Sequence, residues 1–299
     1  MDLDLFFTQV LGGMKQGAIY AALALALVLI YRSTGLLNFA QGEMAMFSTF
    51  IAWLCQDSDI PVVGTVAGAI LVAMAVSFVA GGVIERTLIR PIGVDNVLAI
   101  VIITIGIFIA TNALAGWIYG TDGRTFPRLI SNDSLVDVGD VAVSKELVLI
   151  LAILFAVVGL LFVLFQYTKV GLAMRAVASN RESSQLCGVQ VGRVLMLGWG
   201  MAAALGALAG ALAAPQLNLS LNLMQGLLIY AFAAATLGGF DSPLGAVVGG
   251  LIVGVVQNLA GEYVSLFDRM ELGSAFALIL VVLLVKPSGL FGRTEVQRV

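Results

Sequence analysis

Histidine is absent from this 299-residue chain, and its two cysteines, Cys55 and Cys187, are too far apart for a close-spaced metal site or a disulfide framework. The commonest general base and metal ligand is therefore missing. No G-x-x-x-x-G-K-S/T, G-x-S-x-G or H-E-x-x-H string supplies a phosphate cradle, a nucleophile or a zinc site. Residues able to do chemistry gather instead in two places. One is "SNRESSQLCG" (179–188), a polar run in a chain that is 60% hydrophobic. The other is "STGLLNFAQGEMAMF" (33–47), where Asn38, Gln41 and Glu43 interrupt an apolar stretch.

The first run carries start and stop signals of its own. Ser179 stands three residues before Glu182, the spacing of a reciprocal capping box. Gly188 sits where a helix ends, because glycine enters the left-handed region without a Cβ clash. The resulting helix of about two turns is too short to be stable alone. Its ends are specified while its burial is not, so it calls for a docking surface elsewhere. A competing reading is a solvated basic loop on anionic lipid, since Lys169, Arg175, Arg181 and Arg193 surround the single acid Glu182 between 168 and 194.

In the second run, Glu43 is the carboxylate set deepest in an apolar segment, where a charge costs roughly 2.5–3.5 kcal/mol on insertion scales. Helical spacing puts Asn38 and Gln41 on one face and turns Glu43 elsewhere. Two readings follow: an element of a transport pathway or gate, or a structural polar network in which Glu43 is protonated or caps a broken helix end.

These residues must be held by membrane helices. Mean hydropathy is +1.05 and only 11% of residues are charged. Apolar segments at 8–31, 36–54, 61–84, 97–119, 147–167, 194–214, 224–240, 243–262 and 272–286 approach or reach the roughly 20 residues needed to cross a bilayer. The fold class expected is all-α, a polytopic helical membrane protein of eight or nine spans. It forms one domain over 1–299, with loops at 120–146 and 168–194. The acidic start "MDLDLFF" argues against a cleaved signal peptide and for a retained first span.

Orientation follows from the cations of the short loops. Ten of them (Arg32, Arg86, Arg90, Lys169, Arg175, Arg181, Arg193, Lys286, Arg293 and Arg298) oppose four (Arg124, Arg128, Lys145 and Arg269). Nine spans with the N-terminus outside place every member of each set on its own side. The decapeptide and the C-terminus are then cytoplasmic. Loop 120–146 is extracytoplasmic, long enough for a small hairpin or cap. Asp57, Asp59, Asp122, Asp133, Asp137, Asp140, Glu262, Asp268 and Glu271 fall on the outer side.

G-x-x-x-G pairs such as Gly13/Gly17, Gly206/Gly210 and Gly250/Gly254 point to close helix packing. "LGGFDSPLGAVVGG" (237–250) predicts a bent or broken helix, and "APQLNLSLNLMQG" (214–226) predicts either a re-entrant extended segment or a surface loop.

Glu182-Ser183-Ser184-x-x-x-Gly188 resembles the E-A-A-x-x-x-G coupling motif of bacterial ABC importer permeases, and "GLAMRAVASNRESSQLCGV" resembles its form in permeases for branched-chain amino acids. "GAIYAALALALVLIYRSTGLLNFAQGE" (17–43), "AFAAATLGGFDSPLGAVVGG" (231–250) and "LVKPSGLFG" (284–292) agree with that family in order. The resemblance implies an ABC importer permease architecture and a translocation subunit without an ATPase site. Its partners would be a second related permease or a second copy, two cytoplasmic ATPases and an extracytoplasmic substrate-binding protein, in the bacterial inner membrane. ATP-Mg would be held by the ATPases, and this chain would bind no cofactor, metal or nucleic acid. Arg175, Arg181, Glu182, Ser183, Ser184 and Gly188 would couple to the ATPase, and the helix would span 180–187. Serines replace the motif alanines, the usual "LP" ending is absent, and Gln41 stands where the family often has histidine. Urea, short amides or other amino acids are alternative substrates, and an ion-gradient-driven secondary transporter or channel is the rival from another class.

Overall fold

The computed structural model describes residues 3–93, 96–138, 141–264, 271–286 and 288–292. Each predicted apolar segment carries one helix. They are α1 (Leu3–Thr34), α2 (Gln41–Gln56), α3 (Val66–Ile84), α4 (Val97–Tyr119), α5 (Lys145–Tyr167), α8 (Val191–Leu217), α9 (Leu223–Gly238), α10 (Pro243–Tyr263) and α11 (Glu271–Val285). The short helices α6 (Lys169–Ser179) and α7 (Arg181–Leu186) lie between α5 and α8. Six described helices are long and apolar enough to span a membrane by themselves, and α9 and α11 are shorter apolar helices. Loop 120–146 does form a hairpin, β1 (Ser134–Val138) pairing antiparallel with β2 (Val141–Ser144).

Local sequence sets most boundaries. Thr65, Asn96, Thr168 and Ser242 accept backbone N–H bonds at the starts of α3, α4, α6 and α10, satisfying donors with no intrahelical partner. Pro243 follows its cap at the position that loses nothing by lacking an N–H. The predicted break in 237–250 falls between α9 and α10, where Gly239 adopts φ +94°.

The chain forms two compact units from separated stretches. The first comprises residues 1–28, 130–154 and 226–299. Here the glycine pairs act as packing faces: a Cβ on Gly13 would lie 2.6 Å from Val255 Cα, and one on Gly17 would lie 2.7 Å from the Gly250 oxygen. No side chain fits at those crossings, which lets the two backbones touch. Tyr20 stacks on Tyr230 at 4.7 Å and its hydroxyl lies 2.6 Å from the Gln257 amide oxygen.

The second unit comprises 29–129 and 155–225. In it α8 packs against α2 and α3, with Gly206 and Gly210 against Gln41, Ala45 and Thr49. Ser77 of α3 hydrogen-bonds Ser48 of α2 at 2.6 Å. On α4, Ile102, Ile105, Ile109 and Trp117 remain exposed, as do Phe162 and Val163 on α5. Such apolar outer faces suit contact with lipid.

Of the segment 214–226, only residues 218–222 lie outside helices, a short loop in place of a long extended segment. α8 runs through Pro215 to Leu217 and α9 begins at Leu223. Proline is tolerated here because it stands in the last turn, where little helix follows it. Between them Leu219 exchanges two 2.8 Å backbone bonds with Arg124.

Candidate functional site

The loop between α5 and α8 is built from its caps inward. Thr168 closes the start of α6, whose buried Gly171, Met174 and Val177 lie on one side. Met174 and Val177 pack with Val194 and Leu195 at the foot of α8. The cap of α7 is Asn180, and Ser179 is instead the last residue of α6. Asn180 Oδ1 accepts from the Ser183 N–H at 2.8 Å, and its carbonyl accepts from the Ser184 hydroxyl at 2.7 Å. The predicted Ser179–Glu182 capping box is thus replaced by an asparagine cap one residue on. Packing of α6 carries that helix through Ser179, and asparagine caps as well as serine does.

The end of α7 matches its prediction. Gly188 has φ +84°, its N–H bonds the Gln185 carbonyl at 3.0 Å, and the Val189 N–H bonds the Ser184 carbonyl at 3.0 Å. This pair of bonds is a Schellman termination. Ser184 is buried, while Glu182, Ser183 and Cys187 are exposed. Leu186 is 90% exposed, an apolar side chain with no cover on its own chain. Arg175 is exposed, with Nη1 3.5 Å from Gln166 Oε1.

Both flanks of α7 are held by guanidinium groups. Arg181 Nη2 donates to the Ser33 carbonyl in the last turn of α1 at 3.0 Å, where unpaired helix carbonyls and the helix dipole favour a cation. Beyond the helix, Arg90 Nη2 donates to the Gly192 carbonyl at 2.5 Å and pairs with Glu85 Oε2 at 2.6 Å. Glu85 is fully buried at the π-helical end of α3 (Glu85–Ile89). Sequence reading counted Arg90 as a loop cation and passed over Glu85. The five-residue spacing of the pair was its only local trace.

The residues Asn38, Gln41 and Glu43 are all buried, at 0%, 0% and 1% exposure. Asn38 Oδ1 accepts from the Ala40 N–H at 3.0 Å, just before α2 begins. Its amide donates to Gln41 Oε1 at 3.3 Å, and Gln41 Nε2 donates to the Ala202 carbonyl at 2.9 Å. Ala202 lies near the middle of α8, so α2 starts partway along its neighbour. Glu43 faces the other way. Its Oε2 accepts from Asn112 Nδ2 of α4 at 3.0 Å, and the same nitrogen lies 3.2 Å from the Leu221 carbonyl. The structure therefore joins Asn38 to Gln41, separates Glu43 from both, and adds Asn112. No local signal singled out Asn112, because its partners stand 69 and 109 positions away.

A chain of many apolar helices, six of them long enough to span a bilayer, with a capped, exposed short helix between two of them, has the build of a multi-pass membrane protein. A family model described as the permease component of branched-chain amino acid transport systems matches residues 9–285. The chain is 30% identical to the high-affinity branched-chain amino acid transport system permease protein LivH of Salmonella typhimurium, over 98% of each chain. It is 29% identical to BraD of Pseudomonas aeruginosa, again over 98% of each, and 28% identical to a probable LivH of Methanocaldococcus jannaschii, over 94% of this chain and 91% of that one. The chain belongs to the branched-chain amino acid permease family. It is a multi-pass membrane translocation subunit, not an enzyme.

Proposed function

We propose that this chain is the permease of an ATP-driven importer for branched-chain amino acids, working by alternating access. Energy comes from ATPase subunits docked on α7, and substrate from an extracytoplasmic binding protein. A second permease, related or identical, completes the pathway. The N-terminus lies outside and the C-terminus in the cytoplasm, in the bacterial inner membrane. Among the cations and acids behind that orientation, Arg269, Arg293, Arg298, Asp140 and Asp268 lie outside the described residues.

The observation that carries this reading is α7 itself. Six residues long, it is capped at both ends, tethered through Arg181 to α1, and turns Leu186 and Glu182 outward. A helix held so firmly while exposing an apolar side chain is a docking element. Asn38, Gln41 and Glu43 serve as the gate, where a short helix begins among buried polar groups, as in transporters built with discontinuous helices.

Reconstitution in proteoliposomes tests the proposal. Leucine uptake is expected only with ATP on the α7 side and with all partner subunits present. Uptake by the isolated chain, driven by an ion gradient, would show a secondary transporter instead.

A further inference from the structure

A fully buried carboxylate, Glu85, serves neither the docking helix nor the proposed gate. It begins a π-helical turn, Glu85–Ile89, in which the Arg90 N–H bonds the Glu85 carbonyl five residues back. In an α-helix, residues five apart point about 140° away from each other. The wider π turn brings positions i and i+5 together, so the two side chains meet. Arg90 Nε and Nη2 lie 3.2 and 2.6 Å from Glu85 Oε1 and Oε2, a two-pronged pair. Pro91 and Gly93, at φ +77°, end the helix directly afterwards. Single π turns of this kind are frequent at functional sites.

The Nη2 that meets Glu85 also donates to the Gly192 carbonyl at 2.5 Å, in the first turn of α8. Residues 187–190 alone separate that turn from α7. Gly192 leaves room for the contact: a Cβ there would lie 2.8 Å from Arg90 Cζ and 3.0 Å from Nη1. Further along, the backbones of α3 and α8 touch. A Cβ on Gly81 would lie 2.7 Å from the Trp199 oxygen, and one on Gly200 would lie 2.7 Å from the Phe78 oxygen. α8 holds the Gln41 amide through the Ala202 carbonyl, and α3 holds α2 through the Ser77–Ser48 bond. All of these residues belong to the second compact unit.

We infer that Arg90 is a positioning residue for energy coupling. Anchored by Glu85, its guanidinium clamps the start of α8 to the end of α3. A push on α7 then moves both helices together instead of flexing the link 187–190, and α2 with its buried polar start follows. A buried ion pair adds little net stability, because desolvation offsets its attraction. What this one contributes is a fixed geometry beside α7. The inference rests on the importer reading, since it gives the docked α7 a route into the spans. Such a route stands only if altering it changes the coupling.

Leucine uptake per ATP hydrolysed tests the clamp, measured on the full chain with its co-purifying subunits in proteoliposomes. Thermal unfolding of each variant is measured beside it. In Gly192→Ala the methyl pushes the flexible end of Arg90 off the Gly192 carbonyl, with both charges still present. Alanine also suits a helix better than glycine. Stability should hold, while uptake per ATP should fall about fivefold or more, the low end of common coupling factors. Arg90→Met strands Glu85 and should lose both stability and coupling. Glu85→Leu/Arg90→Met removes both charges and should regain the stability but not the coupling. Full coupling in Gly192→Ala, or coupling that returns with stability in the double variant, overturns the proposal and leaves the pair a packing feature. Absence of ATP-driven uptake in the parent complex sinks the importer reading and the clamp with it. ATP-driven uptake that all three variants keep at full coupling sinks the clamp alone.

Discussion

Glu43 shows how amide side chains hold a carboxyl group in a membrane interior, with Asn112 and Gln225 both bonding to it. Its carboxylate is 1% exposed, and Asn112 donates to it while lying within reach of the Leu221 carbonyl. Removing Asn112 leaves Gln225 as the other side-chain donor to Glu43, and a buried acceptor short of a partner costs more than replacing both partners by apolar groups. Asn112→Leu should therefore impair stability and uptake more than Glu43→Gln, whose amide oxygen still accepts from Asn112. Leaving a buried hydrogen-bonding group short of its partner costs about 1–3 kcal/mol. The double variant Glu43→Leu/Asn112→Leu should recover part of that, giving a coupling energy of roughly 0.5–3 kcal/mol in a double-mutant cycle. Thermal unfolding in detergent and uptake in proteoliposomes measure it. Additive effects would mean the two residues do not act as a unit.

At the scale of elements, the proposed coupling role of α7 can be tested apart from folding. Asn180 fixes the start of α7 and Gly188 its end. Asn180→Ala should cost about 1 kcal/mol of local helix stability and Asn180→Ser much less. Gly188→Val places a β-branched residue at φ +84°, where strain of roughly 1–3 kcal/mol disfavours the turn. Both Asn180→Ala and Gly188→Val should insert normally yet lose substrate-stimulated ATPase activity and uptake together. Full uptake in Gly188→Val would remove the turn from the coupling path. The sequence made this helix legible because caps are local, yet it misplaced the cap by one residue. Ser179 and Asn180 are both good caps, and the choice rests on how far α6 runs before it leaves the foot of α8. The spans were legible because apolar length is itself a local signal. The pairings of Glu43 with Asn112 and of Lys15 with Glu146 were not, since those buried polar contacts are set by helices meeting from distant parts of the chain.

For the whole molecule, the decisive property is which loops face which side of the membrane, and the chain holds two probes of it. Cys187 is exposed just beyond α7, and Cys55, half-buried, lies near the end of α2. One traverse of α2 and the later spans should place them on opposite faces, Cys187 in the cytoplasm and Cys55 outside. Cys55→Ser leaves Cys187 as the sole thiol, and Cys187→Ser leaves Cys55. A membrane-impermeant maleimide should label Cys187 in inside-out vesicles and not in intact spheroplasts, with the reverse for Cys55. Labelling of Cys187 should also fall when the ATPase subunits are present, because its neighbour Leu186 is then covered. Labelling of both thiols from one side would overturn the nine-span arrangement. Cytoplasmic labelling of Cys187 that the ATPase leaves unchanged would keep the topology and displace the docking surface from this face of α7. Orientation and docking are thus read from one residue but fail in different ways.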